Sequence, residues 1–198
     1  MKTVIKIVLA LIIVGLSYLV YESIMTPVRF DQAKNLRYDA VVQKLKDIRD
    51  IERFFRAGNK RYTANWDSLV AFARIGQIPV IKMVADPTDT TFSRSITDTI
   101  GFISVYDSLF GKRQNFRIED ISIVPGSNGQ KFEIHAGKID KGGMFADVYE
   151  VLAHNNSILA GLDEQLVRNL NKVREDIDKY PGLKIGSMVE VTTDGNWE

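Results

Sequence analysis

The chain holds two histidines, the side chains best suited to acid–base or metal chemistry near neutral pH. His135 falls in an alternating stretch, on the side shared with Glu133 and Gly137, which we expect to face solvent. His154 precedes two asparagines in a predicted loop, where it could line a polar surface, hold a turn or act as a general base. The two histidines are far apart and lack a third nitrogen or sulfur ligand, so the sequence predicts no metal site.

Other signatures of chemistry are also missing from the sequence. The chain has no cysteine, which excludes disulfides, thiolate ligands and cysteine nucleophiles. It has no phosphate-binding glycine loop, nucleophile elbow or His-Glu-x-x-His motif. The polar stretch from Asp86 to Asp98 lacks the alternate acids and closing glutamate of a calcium loop, and we interpret it as a surface loop. We therefore expect no catalytic residue, no cofactor and no metal; an anchored hydrolase using His154 is the least favoured alternative.

Size and charge limit the choice of partner. Lys plus Arg number 26 against 25 for Asp plus Glu, so the chain lacks the positive excess that binds phosphate backbones, and we expect no nucleic-acid partner. A chain of 198 residues is long enough for one globular unit with an appendage.

The appendage is predicted at the amino terminus, where lysines at positions 2 and 6 precede an uncharged apolar run over residues 7–21. The run has ten Leu, Ile or Val residues, each favouring insertion into a bilayer by about 0.3–0.6 kcal/mol. Extended to Met25 as a helix it measures about 28 Å, close to the hydrocarbon thickness. The residues predicted to contact lipid are Ile7, Leu9, Leu11, Ile12, Ile13, Leu16 and Leu19.

A cleaved signal peptide is the alternative, because Gly15 and Ser17 form a small-x-small pair. The apolar character continues past such a cut to Tyr21, which favours an uncleaved signal anchor over residues 1–26. The positive-inside rule then places Met1 in the cytoplasm and residues 27–198 in the periplasm of a bacterial inner-membrane protein.

An amphipathic helix is predicted over residues 30–57, after Pro27 stops or kinks the membrane helix. Its apolar stripe consists of Val41, Leu45, Ile48 and Phe55, with Leu36 and Ile51 nearby. Its solvated face would carry Lys44, Lys46, Asp47, Arg49, Asp50, Glu52 and Arg53. The more polar, membrane-proximal part around Leu36 and Tyr38 is a candidate contact for a partner. We expect Gly58 to end the helix.

A second, short helix is predicted over residues 65–75 with Asn65 as its N-cap. An anchored helix, an amphipathic continuation, a glycine, Tyr62 and the Trp66-Asp67-Ser68-Leu69 turn resemble the amino-terminal architecture of type IV pilins and type II secretion pseudopilins. The spacing of Gly15 and Glu22 differs from the pilin processing site, so the resemblance does not extend to processing. With its endings "YPGLKIGS" and "GNWE", the chain is also similar to an uncharacterised family of single-pass bacterial envelope proteins, which implies an envelope role.

Residues 77–153 read as short antiparallel strands. Alternation is clearest at Phe116, Ile118, Ile121 and Ile123, and at Phe132, Ile134 and Ala136. Turns are predicted at Ser127–Gly129 and at Lys141–Gly143, which would link three strands into a meander. A last strand is predicted over residues 183–191.

A carboxy-terminal helix is predicted over residues 163–179, capped by Asp163, with Leu166, Leu170, Val173 and Ile177 on one face. The fold class is therefore α+β: a transmembrane helix and an amphipathic helix packed on a small antiparallel sheet with a carboxy-terminal helix.

The sequence favours a non-catalytic scaffold or accessory subunit of a cell-envelope complex, with the lipid bilayer and other inner-membrane or periplasmic proteins as partners. Trp197, next to the chain end, either packs on its own domain or contacts a neighbour. An anchored binding module for a small molecule or peptide is the alternative, and it requires a concave pocket beside the sheet.

Overall fold

A computed structural model describes residues 2–85, 95–114 and 116–198 of the protein. Its helices are α1 (Lys2–Asn59), α2 (Trp66–Ile75), α3 (Val105–Phe110), α4 (Asn155–Ile158) and α5 (Glu164–Glu175), with a 3₁₀ helix at Ile118–Ser122. Its strands are β1 (Gln77–Ala85), β2 (Ser95–Ser104), β3 (Glu133–Lys141), β4 (Met144–His154) and β5 (Gly182–Gly186). The α+β class is confirmed.

The helix α1 runs for 58 residues, about 87 Å, without a break. Of the two predicted effects of Pro27, a stop is wrong, because the helix continues through the proline and packs on the domain core from Phe30 onward. The hydroxyl of Thr26 donates to the carbonyl oxygen of Glu22 at 2.8 Å, next to the site where proline removes a backbone donor. The helix ends at Asn59 and not at Gly58.

The core lies between the second half of α1 and the three-stranded sheet β3-β4-β5. The predicted stripe on α1 is confirmed: Val41, Leu45, Ile48, Ile51 and Phe55 are all buried. The sheet contributes Tyr149, Val151, Leu183 and Ile185, and Phe132 joins them from the position just before β3. Because helical residues three and four apart share a face, this one stripe covers most of the inner face of the sheet.

The hairpin β3–β4 is built as its turn residues require. Lys141 pairs with Met144, leaving a two-residue loop of Gly142 and Gly143 with φ angles of 65° and 85°. Only glycine adopts such angles without steric cost, so the predicted turn is confirmed. The predicted N-caps are also confirmed: Asn65 accepts the Ser68 amide and Asp163 accepts the Leu166 amide.

The predicted strand at residues 116–123 is not formed, and Ile118–Ser122 within it is a 3₁₀ helix. Ile118 and Ile121 are both buried, and residues three apart share a face in a 3₁₀ helix. The apolar spacing of Ile118 and Ile121 therefore reflects the period of a 3₁₀ helix and not that of a strand. The three neighbouring antiparallel strands of the main sheet are β3, β4 and β5. β1 and β2 form a separate two-stranded sheet. Of the predicted surface loop, residues 86–94 lie outside the described part of the chain, and residues 95–98 belong to β2.

The carboxy-terminal elements are shorter than predicted. The helix α5 ends at Glu175, and its buried residues are Val167 and Asn171, whereas Val173 and Ile177 are exposed. The predicted face holds for Leu166 and Leu170, which are half-buried, and is wrong for Val173 and Ile177. The buried Asn171 was missed because apolar periodicity does not count a polar residue. The last strand, β5, ends at Gly186 instead of continuing to Val191.

Two leucines on α1 provide a test of this packing. Leu45 is fully buried and Leu36 is 74% exposed. Leu45→Ala should lower the free energy of unfolding by about 2–5 kcal/mol, because it opens a cavity in the core. Leu36→Ala should change it by less than about 0.5 kcal/mol. Urea unfolding of the full chain in detergent, followed by circular dichroism, measures both; equal effects would contradict the assigned face of α1.

Candidate functional site

The first functional feature is the bare first part of α1. Every residue from Thr3 to Tyr21 is exposed, and Glu22 is the first half-buried one. The helix is long and apolar enough to cross a membrane, with a mean hydropathy of 2.5 in its most apolar window. The predicted lipid contacts are each between 51% and 67% exposed: Ile7, Leu9, Leu11, Ile12, Ile13, Leu16 and Leu19. The bare part measures about 28 Å, which matches the hydrocarbon thickness.

The folded domain begins immediately after this bare segment. A cleft of about 400 Å³ lies between α1, from Glu22 to Ala33, and the connection from α4 to α5 at residues 161–166. Higher on α1, the Arg37 guanidinium donates to the carbonyl oxygens of Ile158 and Ala160, at 3.1 and 2.7 Å. The Arg37 hydrogen bonds therefore join α1 to the rest of the domain a few helical turns beyond the apolar run.

Of the two candidate contact residues on this part of α1, Leu36 is exposed and Tyr38 is hydrogen-bonded within its own domain. Tyr38 is half-buried, and its hydroxyl donates to the Asn155 side-chain oxygen at 2.5 Å. The Asn155 amide in turn donates to Asn171 at 2.8 Å, and Asn171 donates to Asn156 at 2.8 Å. This amide network joins α1, α4 and α5, and the sequence hinted at it only through the adjacent asparagines.

Trp197, the third candidate contact, packs half-buried against the core of its own domain. The segment around it is fastened by a bridge between Gly195 and Ile185 and by the Asn196 amide, which donates to the Lys184 carbonyl oxygen at 3.0 Å. Of the two arrangements that the sequence left open for Trp197, the structure has the one in which the ring lies on its own domain.

The histidines lie apart, as their separation in sequence suggested. His135 is exposed on β3. His154 ends β4, and its Nδ1 accepts the Asn156 amide at 3.1 Å while its ring meets Tyr180 edge-on at 6.1 Å. Within residues 2–85, 95–114 and 116–198, no group of three or more His, Asp or Glu residues is arranged to hold a metal ion.

Two acids that the helical pattern placed on the solvated face of α1 are buried. Asp47 receives two hydrogen bonds from the Arg113 guanidinium, at 2.6 and 2.8 Å, and is thereby neutralised. Glu52 is fully buried, and its Oε2 accepts the Thr63 amide at 3.2 Å. The prediction of a solvated charged face is wrong at these two positions, because α2, the 3₁₀ helix and the sheet cover more than the apolar stripe.

Glu52 is one of four side chains in the described part of the chain that have a buried polar atom without a hydrogen-bond partner. The four atoms are Glu52 Oε1, the Tyr149 hydroxyl, the Trp197 indole nitrogen and Arg49 Nε. Tyr149 also packs its ring on Tyr62 at 4.6 Å. Burial raises the pKa of Glu52 to about 8 and raises the pKa of Tyr149, so both side chains are neutral at pH 7.

Comparison of the chain with protein-family models, with curated proteins and with solved structures found no match.

The buried carboxyl predicts how stability depends on pH. The pKa of Glu52 is raised from 4.5 to about 8, so between these values the folded protein holds a proton that the unfolded chain has lost. The free energy of unfolding should therefore fall as the pH rises from 4.5 to 8. Glu52→Gln stays neutral at every pH, and it should flatten this slope and exceed the wild type in stability at pH 9.

Urea unfolding of the full chain in detergent at a series of pH values measures that slope. Glu175→Gln, at an exposed position on α5, is the matched control and should keep the slope of the wild type. A Glu52→Gln chain with an unchanged slope would contradict the assignment of a buried neutral carboxyl.

Proposed function

We propose that this protein is a non-catalytic, single-pass inner-membrane protein that serves as a scaffold or accessory subunit of a multi-protein bacterial envelope complex. One observation carries the proposal: a single uninterrupted helix is bare over Thr3–Tyr21 and supplies the core of a folded domain from Val41 onward. A bare apolar cylinder about 28 Å long is compatible with lipid and costly in water. The domain is then held at the membrane surface without a flexible linker.

The orientation follows from the charges beside the span. Lys2 and Lys6 precede the apolar run, and the positive-inside rule places them in the cytoplasm and the domain in the periplasm. No carboxylate lies between Ile7 and Tyr21, which makes the helix unsuited to carrying protons across the membrane and favours a structural role.

The pilin and pseudopilin resemblance adds to this proposal. A half-bare helix whose second half packs on a small antiparallel sheet is the arrangement that the resemblance implies. It favours a secretion, filament or energised transport machine as the setting.

Exposed apolar residues are the surfaces that such a subunit would offer to partners. Leu36 lies on α1 about 22 Å beyond Tyr21, within reach of another membrane-anchored protein. Ile100, Phe102 and Ile103 are also exposed, on β2 of the two-stranded sheet. Isolated two-stranded sheets are marginally stable in water, so a neighbour that covers this sheet would stabilise it.

The proposed topology can be tested with single cysteines, because the chain has none of its own. Asn128→Cys lies in an exposed turn of the domain, and Thr3→Cys lies at the start of the span. In cells with a permeabilised outer membrane, a membrane-impermeant maleimide should label the Asn128→Cys chain. The same reagent should leave the Thr3→Cys chain unlabelled until the inner membrane is dissolved. Labelling of the Thr3→Cys chain alone would reverse the orientation, and a soluble chain after carbonate extraction would contradict the anchor.

The proposed partner contact can be tested with a photo-crosslinking amino acid. Placed at Leu36, it should yield discrete adducts with another envelope protein after irradiation of intact cells, because this side chain points away from its own domain. Placed at the exposed Glu175 on α5, it serves as the control and should yield none. Absence of adducts at Leu36, or the same adducts at both positions, would count against this contact.

A further inference from the structure

A cleft lies at the far end of the domain, where α1 ends. It is walled by the last turns of α1, by β4 and by the carboxy-terminal segment, and its volume is about 700 Å³. The polar side chains that line it are Arg53, Arg56, Lys60, Tyr62, Asp147 and Thr193. The cleft offers many more hydrogen-bond donors than acceptors.

The charge of the cleft is positive and uncompensated. Arg53 and Arg56 are three residues apart on one face of α1, and Lys60, directly after the helix, lines the same cleft. Among the described residues, none of the three has a carboxylate oxygen within 4.0 Å. The one acid in the cleft, Asp147, lies 3.9 Å from Lys138 on the neighbouring strand. Three like charges side by side repel one another, and an anion between them would relieve that repulsion.

One of these cations is already held in position. The Arg56 guanidinium donates to the Tyr62 hydroxyl at 3.2 Å and its central carbon lies 5.1 Å from the centre of the Tyr62 ring. The Tyr62 ring is itself buried and packs on Tyr149. A positioned guanidinium loses less conformational entropy when it binds a ligand, which raises affinity.

The residue that follows α1, Lys60, is unusual for its position. Lys60 has a φ angle of 58°, in the left-handed region, and its amide closes the helix on the Arg56 carbonyl oxygen at 2.8 Å. Glycine is the residue that fits this position without steric cost. The helix dipole favours a cation near this end, but a lysine one turn earlier would serve that purpose without strain. From this position Lys60 lines the cleft.

The cleft lies far from the membrane in which the protein is anchored. Arg56 is 35 residues beyond Tyr21 on one continuous helix, a rise of about 53 Å. Headgroups of that membrane cannot reach the cleft, so its ligand comes from solution.

We propose that this cleft is a binding site for a soluble phosphate ester. A phosphate dianion presents three acceptor oxygens, which match guanidinium, ammonium and hydroxyl donors and neutralise most of the local charge. The organic part of the ester has an apolar surface to contact, because Phe145 lies two residues before Asp147 on the same face of β4 and is 77% exposed. The ligand class is thus a phosphate carried on a small organic group.

Phenyl phosphate is a suitable probe, because it combines the dianion with an apolar ring and absorbs ultraviolet light. Equilibrium dialysis against the full chain in non-ionic detergent, at low and constant ionic strength, should show saturable binding of one molecule per chain. The double variant with Arg56→Gln and Lys60→Gln should weaken binding by about tenfold or more, since it removes two charge-assisted contacts. Arg61→Gln removes an exposed neighbouring charge that does not line the cleft, and it should change binding by less than about twofold.

Competition experiments distinguish the ligand class and its source. Inorganic phosphate should displace the probe, whereas citrate at equal ionic strength and vesicles containing phosphatidic acid should displace little. Displacement by citrate as effective as by phosphate would overturn the assignment to phosphate, and displacement by the vesicles alone would overturn a soluble ligand.

Lys60→Gly provides a readout that separates binding from folding. It should raise the thermal unfolding midpoint by relieving the left-handed backbone, and it should weaken the binding of phenyl phosphate severalfold. Circular dichroism of each variant checks that the fold is retained. A Lys60→Gly chain that binds as tightly as the wild type, an Arg61→Gln effect as large as that of the double variant, or no saturable binding at all would overturn the proposal.

Discussion

The continuity of α1 is the constraint on which the other features depend. The helix passes from a segment whose side chains all face outward, up to Tyr21, to one that carries the core from Val41 onward. The helical hydrogen bonding continues past Pro27. Phe30, Arg37 and Tyr38 all contact the domain, so the part of the helix beyond the proline is packed on it. The apolar first segment therefore joins the domain through one helix with no loop between them.

Polar contacts determine where the domain sits along this helix. An apolar stripe tolerates a shift of one helical turn, since residues three and four apart are equivalent in kind. The pairing of Asp47 with Arg113, the Tyr38 hydroxyl on Asn155 and the Thr63 amide on Glu52 each fit one register only. A shift by one turn would leave buried polar groups without partners, at about 1–3 kcal/mol each. These residues thus specify position, while the apolar residues supply most of the stabilisation.

The sequence predicted the features that local physics controls. The long apolar helix at the amino terminus, the Val41–Phe55 stripe, the Asn65 and Asp163 caps and the Gly142-Gly143 turn all follow from local sequence patterns. The features it missed depend on distant contacts. The helical pattern predicts an exposed Glu52, which is buried in the folded domain. It also predicts an exposed Asn171, which is buried and hydrogen-bonded to Asn155. The 3₁₀ helix at Ile118–Ser122 has an apolar pattern that resembles that of a strand. The cation cleft needs β4 and the chain end beside α1, which no local pattern specifies.

A rigid helix also separates the two ends of the domain in function. The exposed Leu36 and the cleft around Arg56 lie 20 residues apart on α1, a fixed distance of about 30 Å. A partner that contacts the membrane-proximal end leaves the cleft free, and a ligand in the cleft leaves that contact free. Binding at the cleft could affect the surface around Leu36 only if the helix shifted on the sheet. The buried contacts of Asp47 and Glu52 oppose such a shift. The buried contacts of α1 with the rest of the domain therefore hold Leu36 and the cleft at one separation along the helix.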